Sequence, residues 1–518
     1  MTNDRKGTGQ SSIWDIVKLS LGRSEIVFYY VPERKDDLQM DRKNAWNTYT
    51  KEQLAELNSI NEKYKSCLNA GKTERECVEL SVSMAEEAGY RNLKDVMSAG
   101  GSLKTGDKVY AVCMNKMIAL FRIGEEPISA GMNILGAHID SPRIDVKQNP
   151  LYENEGLAYL DTHYYGGIKK YQWVAQPLSL HGVIAKKDGT TVKVSVGEDE
   201  NDPVFVITDL LVHLAQEQME KKASKVIEGE KLDLLIGNRP AEEVIEELTS
   251  SDPADTEEKK AEKAQAKEAV KANVLRILKE KYDMDEEDFL SAELEIVPAG
   301  KARDCGFDRS MILSYGQDDR VCAFTSLFAM LDITEAKKTG CCLLVDKEEI
   351  GSVGATGMHS KFFENTVAEL IALTEGESEL KVRRALMNSK MLSSDVSAAY
   401  DPMYAEAFEK RSSAFFGSGI TFNKFTGSRG KSGSNDANAE YIAALRKAMD
   451  DDNVAYQFAE LGRVDLGGGG TIAYIMANYG MEVIDSGVAV LNMHAPYEVT
   501  SKADVYEAVK GYRTFLKM

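Results

Sequence analysis

The chain has 518 residues, long enough for two or more domains or for one domain carrying a large insertion. Its 63 basic against 83 acidic residues leave a formal charge of −20, which phosphate backbones and anionic lipid surfaces repel, so neither nucleic acid nor membrane is an expected partner. Seven cysteines without paired spacing fit a reducing compartment rather than a disulfide framework. The opening residues lack the apolar stretch of a secretory signal, and no run approaches the ~18 apolar residues of a membrane span, which makes the cytoplasm the expected location.

Residues 43–98 read as helical, with Ala, Leu and Glu at helical spacing in "KEQLAELNSINEKYKSCL" and "ERECVELSVSMAEEAGY". Two short strands, "KVYAVCMN" and "MIALFRI", precede "MNILGAHIDSPRID", a strand expected to stop at Ala137. From about 150 to 210, strand signals alternate with turns. The charged, Ala-rich stretch that follows, roughly 250–290, reads as a solvated helix with no catalytic role. Beyond Leu294 strands and helices largely alternate, which predicts an α/β fold: a mixed sheet sandwiched by helices, with ligands collecting beyond the carboxyl ends of the strands.

Those strand ends carry a consistent chemistry. His138 and Asp140 follow "MNILGA"; Asp318 and Asp319 follow "MILSYGQ"; Glu348 and Glu349 follow "CCLLVDK"; Asp395 follows "MLSS"; His494 follows "VAVLNM". One acidic residue at a strand end is usually a cap or turn former, but five such positions all offer metal-type ligands. Imidazole and carboxylate suit zinc or a similar divalent ion, with cobalt and manganese as alternatives, and two ions ~3.5–4 Å apart can share one carboxylate. His138, Asp318, Glu349, Asp395 and His494 supply the five ligands that such a pair needs. Adjacent residues in a turning segment point different ways, so Glu349 is assigned to metal and Glu348 to general base. Asp140 is placed to orient the His138 imidazole.

The strings "HIDSP", "GQDDR", "DKEEIGS", "SSDVSAAYDPMY" and "LNMHAPYE", with "YYGGIKKYQW" and "QPLSLHG" between them, resemble in order and spacing the aspartyl-aminopeptidase family of dinuclear metallopeptidases, as a divergent bacterial-type member. The resemblance implies a metallo-exopeptidase fold with two divalent ions per subunit. Asp318 would bridge them, His138 and Asp395 completing one site and Glu349 and His494 the other. It also implies a catalytic domain, residues 1–141 and 301–518, split by an inserted β-rich dimerisation or lid domain at 142–300, and homo-oligomers reaching a tetrahedral dodecamer. Peptides would be the substrates.

Three segments depart from the family pattern. Ala398 and Asp401 stand where the resemblance calls for two histidines, Thr421 stands where it calls for a lysine facing an acidic substrate side chain, and "QWVAQP" replaces a Trp-Phe-Asp-Arg stretch. Lys424, Arg429 and Lys431 are candidate replacements for the missing cation. The "DLGGGGTIAYIMA" turn lacks the ending of a nucleotide loop; the resemblance implies that its Gly-Thr-Ile segment lies near the substrate, which makes Gly469, Gly470 and Thr471 possible substrate contacts, together with Thr421 and His163. The expected activity is a metal-dependent aminopeptidase releasing acidic or neutral N-terminal residues. The alternatives are a deacylase or carboxypeptidase on the same scaffold, and an inactive carrier.

Overall fold

The structure is a computed structural model describing residues 44–242 and 268–518. The expected catalytic domain before residue 44, and the expected charged helix at 243–267, lie outside the described residues.

Strict alternation builds the main sheet. In Thr339–Val345, Cys341 and Leu343 join one hydrophobic core while Cys342 and Leu344 join another on the opposite face. The same division separates Ile134 from Leu135 and Met391 from Leu392. A strand buried on both faces needs helices on both, and the structure supplies them. Lys51–Ala70, Glu74–Glu87, Gln317–Asp332, Ala439–Asp451 and Lys502–Leu516 cover one face. Leu93–Ser98, Phe362–Glu375, Glu379–Asn388 and Ala473–Ala477 cover the other. Thr50 and Thr73 start the first two helices through capping boxes with Gln53 and Glu76.

The sheet has nine strands, in the order Arg91–Asn92, Lys108–Cys113, Met117–Arg122, Thr339–Val345, Met132–His138, Lys390–Ser394, Glu482–Gly487, Ile420–Asn423 and Tyr456–Phe458. Thr339–Val345, Met132–His138, Lys390–Ser394 and Glu482–Gly487 run parallel, so their carboxyl ends share one edge. The strand expected to stop at Ala137 continues through His138, whose register partner is Val345.

Residues between 143 and 298 form a second, antiparallel sheet of six strands with a hydrophobic core of its own around Trp173, Ile144 and Ile296. It is built onto the first, since Lys43–Met518 pack as one compact unit. A third sheet joins Arg303–Cys305, Met311–Ser314, Glu498–Ser501, Ala489–Leu491 and Ser397–Ala398. Here the simple strand-helix alternation is corrected. "MILSYGQ" and "VAVLNM" contribute to this small sheet rather than to the main one, because Met311–Ser314 and Ala489–Leu491 both pair with Glu498–Ser501.

Ala269–Tyr282 is helical, as its spacing predicts. All seven cysteines are free. No helix among the described residues is long and apolar enough to cross a membrane.

Candidate metal centre

Two sheets deliver the site. His138 ends the central strand of the main sheet, Glu348 and Glu349 follow Thr339–Val345, and Asp395 follows Lys390–Ser394. Asp318 and His494 arrive from the third sheet: Asp318 opens the helix Gln317–Asp332 with non-helical backbone angles, and His494 lies between Ala489–Leu491 and Glu498–Ser501. Gly316, at φ 68, makes the turn before Asp318; a Cβ there would come within 1.9 Å of the buried Arg320 guanidinium.

The six side chains converge. His138 Nε2 lies 3.3 Å from Asp318 Oδ1 and 4.0 Å from both Glu348 Oε2 and Asp395 Oδ1. His494 Nε2 lies 3.3 Å from Asp318 Oδ2 and 3.6 Å from Glu349 Oε2. Ligand atoms of His138, Asp318 and Glu349 fall within 4.8 Å of one another, and so do those of His138, Glu348 and Asp395. Both imidazoles are fixed from behind. His138 Nδ1 donates to the Asp140 carbonyl at 3.0 Å, and His494 Nδ1 to the Gly167 carbonyl at 2.9 Å, which turns each Nε2 toward the carboxylates.

Two further buried carboxylates brace this arrangement. Asp140 accepts the backbone N–H of Glu348 on one oxygen and that of Glu349 on the other, each at 3.2 Å. Glu498, unassigned in the sequence reading although it ends "LNMHAPYE", accepts the N–H of Asp318 at 2.9 Å and of His494 at 2.8 Å. Its spacing of four from His494 was the available signal. The Glu498 bond holds His494 in the left-handed region at φ 65, a conformation costing roughly 1–3 kcal/mol elsewhere.

The electrostatics fit a cation. Burial pushes Glu348 up to about 7, with Asp140 and Asp318 adding to it. Burial, then Asp318, lifts Glu349 well above the usual carboxylate range, and burial, then Asp319 and Glu348, does the same for Asp395. Burial opposes charge on His138, but Asp140 and Asp318 hold the imidazole protonated well above its ordinary range. His494 is held up to about 10, burial again opposing and Asp318 and Glu349 outweighing it. Asp318 is held below the usual carboxylate range because its bonds to His138 and His494 outweigh burial. Glu349 Oε1 is buried and has no hydrogen-bond partner among the described residues. Four carboxylates facing two imidazoles carry an excess of buried negative charge, which a divalent cation relieves.

The expected substrate contacts are more scattered. Thr471 donates to the buried Asp485 at 2.6 Å, Gly469 N–H donates to the Thr426 carbonyl at 2.9 Å, and a Cβ on Gly470 would meet open space. Thr421 is fully buried in Ile420–Asn423, its hydroxyl without a partner among the described residues. His163 is exposed, stacked on Tyr164, and makes no ion pair or hydrogen bond with the six converging side chains. Lys424 and Arg429 are exposed, while Lys431 pairs with Asp436 at 3.1 Å.

The sequence pattern of the family described as "Aminopeptidase I zinc metalloprotease (M18)" matches residues 67–516. A probable M18 family aminopeptidase 1 of Clostridium acetobutylicum is 60% identical over 481 residues, covering 93% of this chain and 99% of that protein. The crystal structure of aminopeptidase I from Clostridium acetobutylicum superposes with a TM-score of 0.83 at 58% identity, over 92% of this chain and 99% of the other. The S. cerevesiae mApe1 dodecamer shares the fold at 20% identity, with a TM-score of 0.69 over 89% of this chain and 97% of that one. Family membership also decides among the hydrolases left open by the residues alone. The chain belongs to the M18 family of zinc metalloproteases and is a metal-dependent aminopeptidase.

Proposed function

We propose that the converging side chains hold two divalent ions per subunit, zinc by family and cobalt or manganese as workable substitutes. Asp318 would be the shared ligand, with His138 and Asp395 completing one donor set and Glu349 and His494 the other. The observation that carries this reading is the position of Asp318, whose two oxygens lie 3.3 Å from two different imidazoles. Bound ions would supply Lewis acidity, bringing the pKa of a coordinated water toward ~7 and polarising the scissile carbonyl.

The chain's own residues handle the proton. Glu348, 4.0 Å from His138 Nε2, is the general base: it accepts a proton from the attacking water and returns it to the leaving amine. Asp140 keeps Glu348 and Glu349 apart by holding both of their backbone N–H groups. Thr471 and the glycines before it border the substrate, steadied by Asp485. The enzyme removes acidic or neutral first residues, since a buried Thr421 offers no cation to select an acidic side chain.

In this reading residues 142–300 are the inserted dimerisation or lid domain of a catalytic domain made from 1–141 and 301–518, and the protein acts in the cytoplasm as a homo-oligomer. Its likeness in fold to a dodecameric relative favours the same assembly here.

The test is a panel of unblocked and N-acetylated dipeptides, given to metal-stripped protein and to protein restored with Zn²⁺, Co²⁺ or Mn²⁺. Metal-dependent cleavage of the unblocked set alone is expected, with Leu and Ala accepted alongside Asp and Glu at the first position. Equal cleavage of the blocked peptides would overturn the reading.

A further inference from the structure

The second sheet reaches into the metal centre. Its strand Leu157–Tyr165 ends at Tyr165 and is followed by Gly166 and Gly167, and all three residues lie against the cluster. The Tyr165 hydroxyl donates to Asp140 Oδ2 at 2.9 Å, the same oxygen that accepts the Glu349 N–H. A Cβ on Gly166, which sits at φ 76, would stand 3.3 Å from Glu349 Oε2. A Cβ on Gly167 would stand 3.3 Å from His494 Nδ1, the nitrogen that donates to the Gly167 carbonyl.

Asp140 is the hub of one side of the site. Its carboxylate places Oδ1 3.3 Å from His138 Nδ1 and pins the turn that carries Glu348 and Glu349. The two backbone donors, one on each oxygen, fix the Asp140 carboxylate only relative to the turn they come from. The hydroxyl of Tyr165 approaches from a different element and ties the carboxylate to the second sheet. The Tyr165 ring is itself immobilised, being buried with the Arg143 guanidinium 3.9 Å from its centroid. Arg143 is in turn held by Asp145 at 2.7 Å and Glu295 at 3.1 Å, both on strands of the second sheet.

We infer that Tyr165 is a positioning residue of the aminopeptidase site, through which the second sheet sets the orientation of Asp140 and, through Asp140, of His138 and Glu348. The inference rests on the roles proposed above for those three residues. Outer partners of metal ligands commonly carry a ~10–100-fold share of metal affinity or turnover.

Tyr165→Phe removes only the hydroxyl and keeps the ring against Arg143. Tyr152→Phe is the control: it removes a Tyr–Asp bond of 2.5 Å, to Asp233, elsewhere in the same hairpin. For both variants, kcat and KM on an unblocked dipeptide, zinc affinity by competition with a chromophoric chelator, and Tm are measured beside Glu348→Gln. Tyr165→Phe is expected to keep Tm and KM, to lose kcat ~10–100-fold and to bind zinc more weakly, while Tyr152→Phe keeps all four. Wild-type kcat and zinc affinity in Tyr165→Phe, or equal losses in Tyr152→Phe, would overturn the inference. If Glu348→Gln is inactive in that experiment, the reading of the site survives the loss of this inference. A fully active Glu348→Gln overturns the reading and the inference together.

Discussion

Glu348 and Glu349 are neighbours in the chain and face opposite halves of the cluster. Glu348 Oε2 lies 4.0 Å from His138 Nε2, and Glu349 Oε2 lies 3.6 Å from His494 Nε2. The short 3-10 turn Glu348–Ile350, entered through Lys347 at φ 69, splays the two side chains. Exchanging Glu348 for Gln keeps its size and removes its basicity. Zinc content and Tm should then match wild type while kcat falls by ~10²–10⁴. Near wild-type turnover would remove Glu348 from the role of base.

If Asp318 is shared, its loss should cost more metal than the loss of a one-sided ligand. Zinc per subunit, measured by atomic emission after dialysis, should be about two in wild type, about one in His494→Ala and below one in Asp318→Ala. Asp318→Ala retaining two ions would exclude the bridge.

Metal removal should also destabilise the fold. Without cations, the buried carboxylates of Glu348, Glu349 and Asp395 repel one another and take up protons. Chelation should abolish activity and lower Tm by several degrees, and added Zn²⁺ should restore both; ligand present at 100 times its Kd contributes about 2.7 kcal/mol. An identical Tm with and without metal would count against the site.

A second charge cluster, away from the metal centre, sets a pH dependence of stability. His181, on Leu178–Ala185, pairs with Glu76 at 2.8 Å and with Glu198 at 3.3 Å. Burial opposes its charge, but Glu198 and Glu76 win and hold the imidazole above its ordinary value of ~6.5. A raised folded value means that protonated His181 stabilises fully below pH ~6.5, and that this contribution fades as pH climbs through the folded value. The Tm gap between wild type and His181→Gln should therefore be wider at pH 6 than at pH 9. A gap that widens with pH would show the imidazole to be neutral in the fold.

Gly487 tests how tightly Asp395 is seated. A Cβ there would come within 1.8 Å of the Asp395 carbonyl oxygen, so Gly487→Ala must shift one of two neighbouring strands. Overpacking of this kind typically costs ~1–3 kcal/mol. The expected outcome is a lowered Tm together with reduced zinc content, whereas wild-type values for both would show that the strand gives way without moving the ligand.

Much of the main sheet was legible because its strands are buried on both faces and therefore read as apolar runs, as in "CCLLV". The helices around it were legible through their spacing and caps, Thr50 and Thr73 among them. The strand that leads to Asp318 was legible as a strand, but its assignment to a sheet was not. Met311–Ser314 could pair with any exposed edge, and only its contact with Glu498–Ser501 decides the matter.

The sequence by itself determined the candidate site residues: His138, Asp318, Glu348, Glu349, Asp395 and His494, each at the end of an apolar run where a backbone leaves a sheet, in an order that resembles one family. Local residue type and strand burial suffice for that, since both are properties of a short window. Tertiary structure alone decided which of those side chains face each other, that Glu498 ties Asp318 to His494, and that Tyr165 reaches Asp140 from the second sheet. The Tyr165–Asp140 and Glu498–Asp318 links join residues 25 and 180 positions apart, and a hydrogen bond across such a separation depends on how whole sheets pack, which no local pattern of residues encodes.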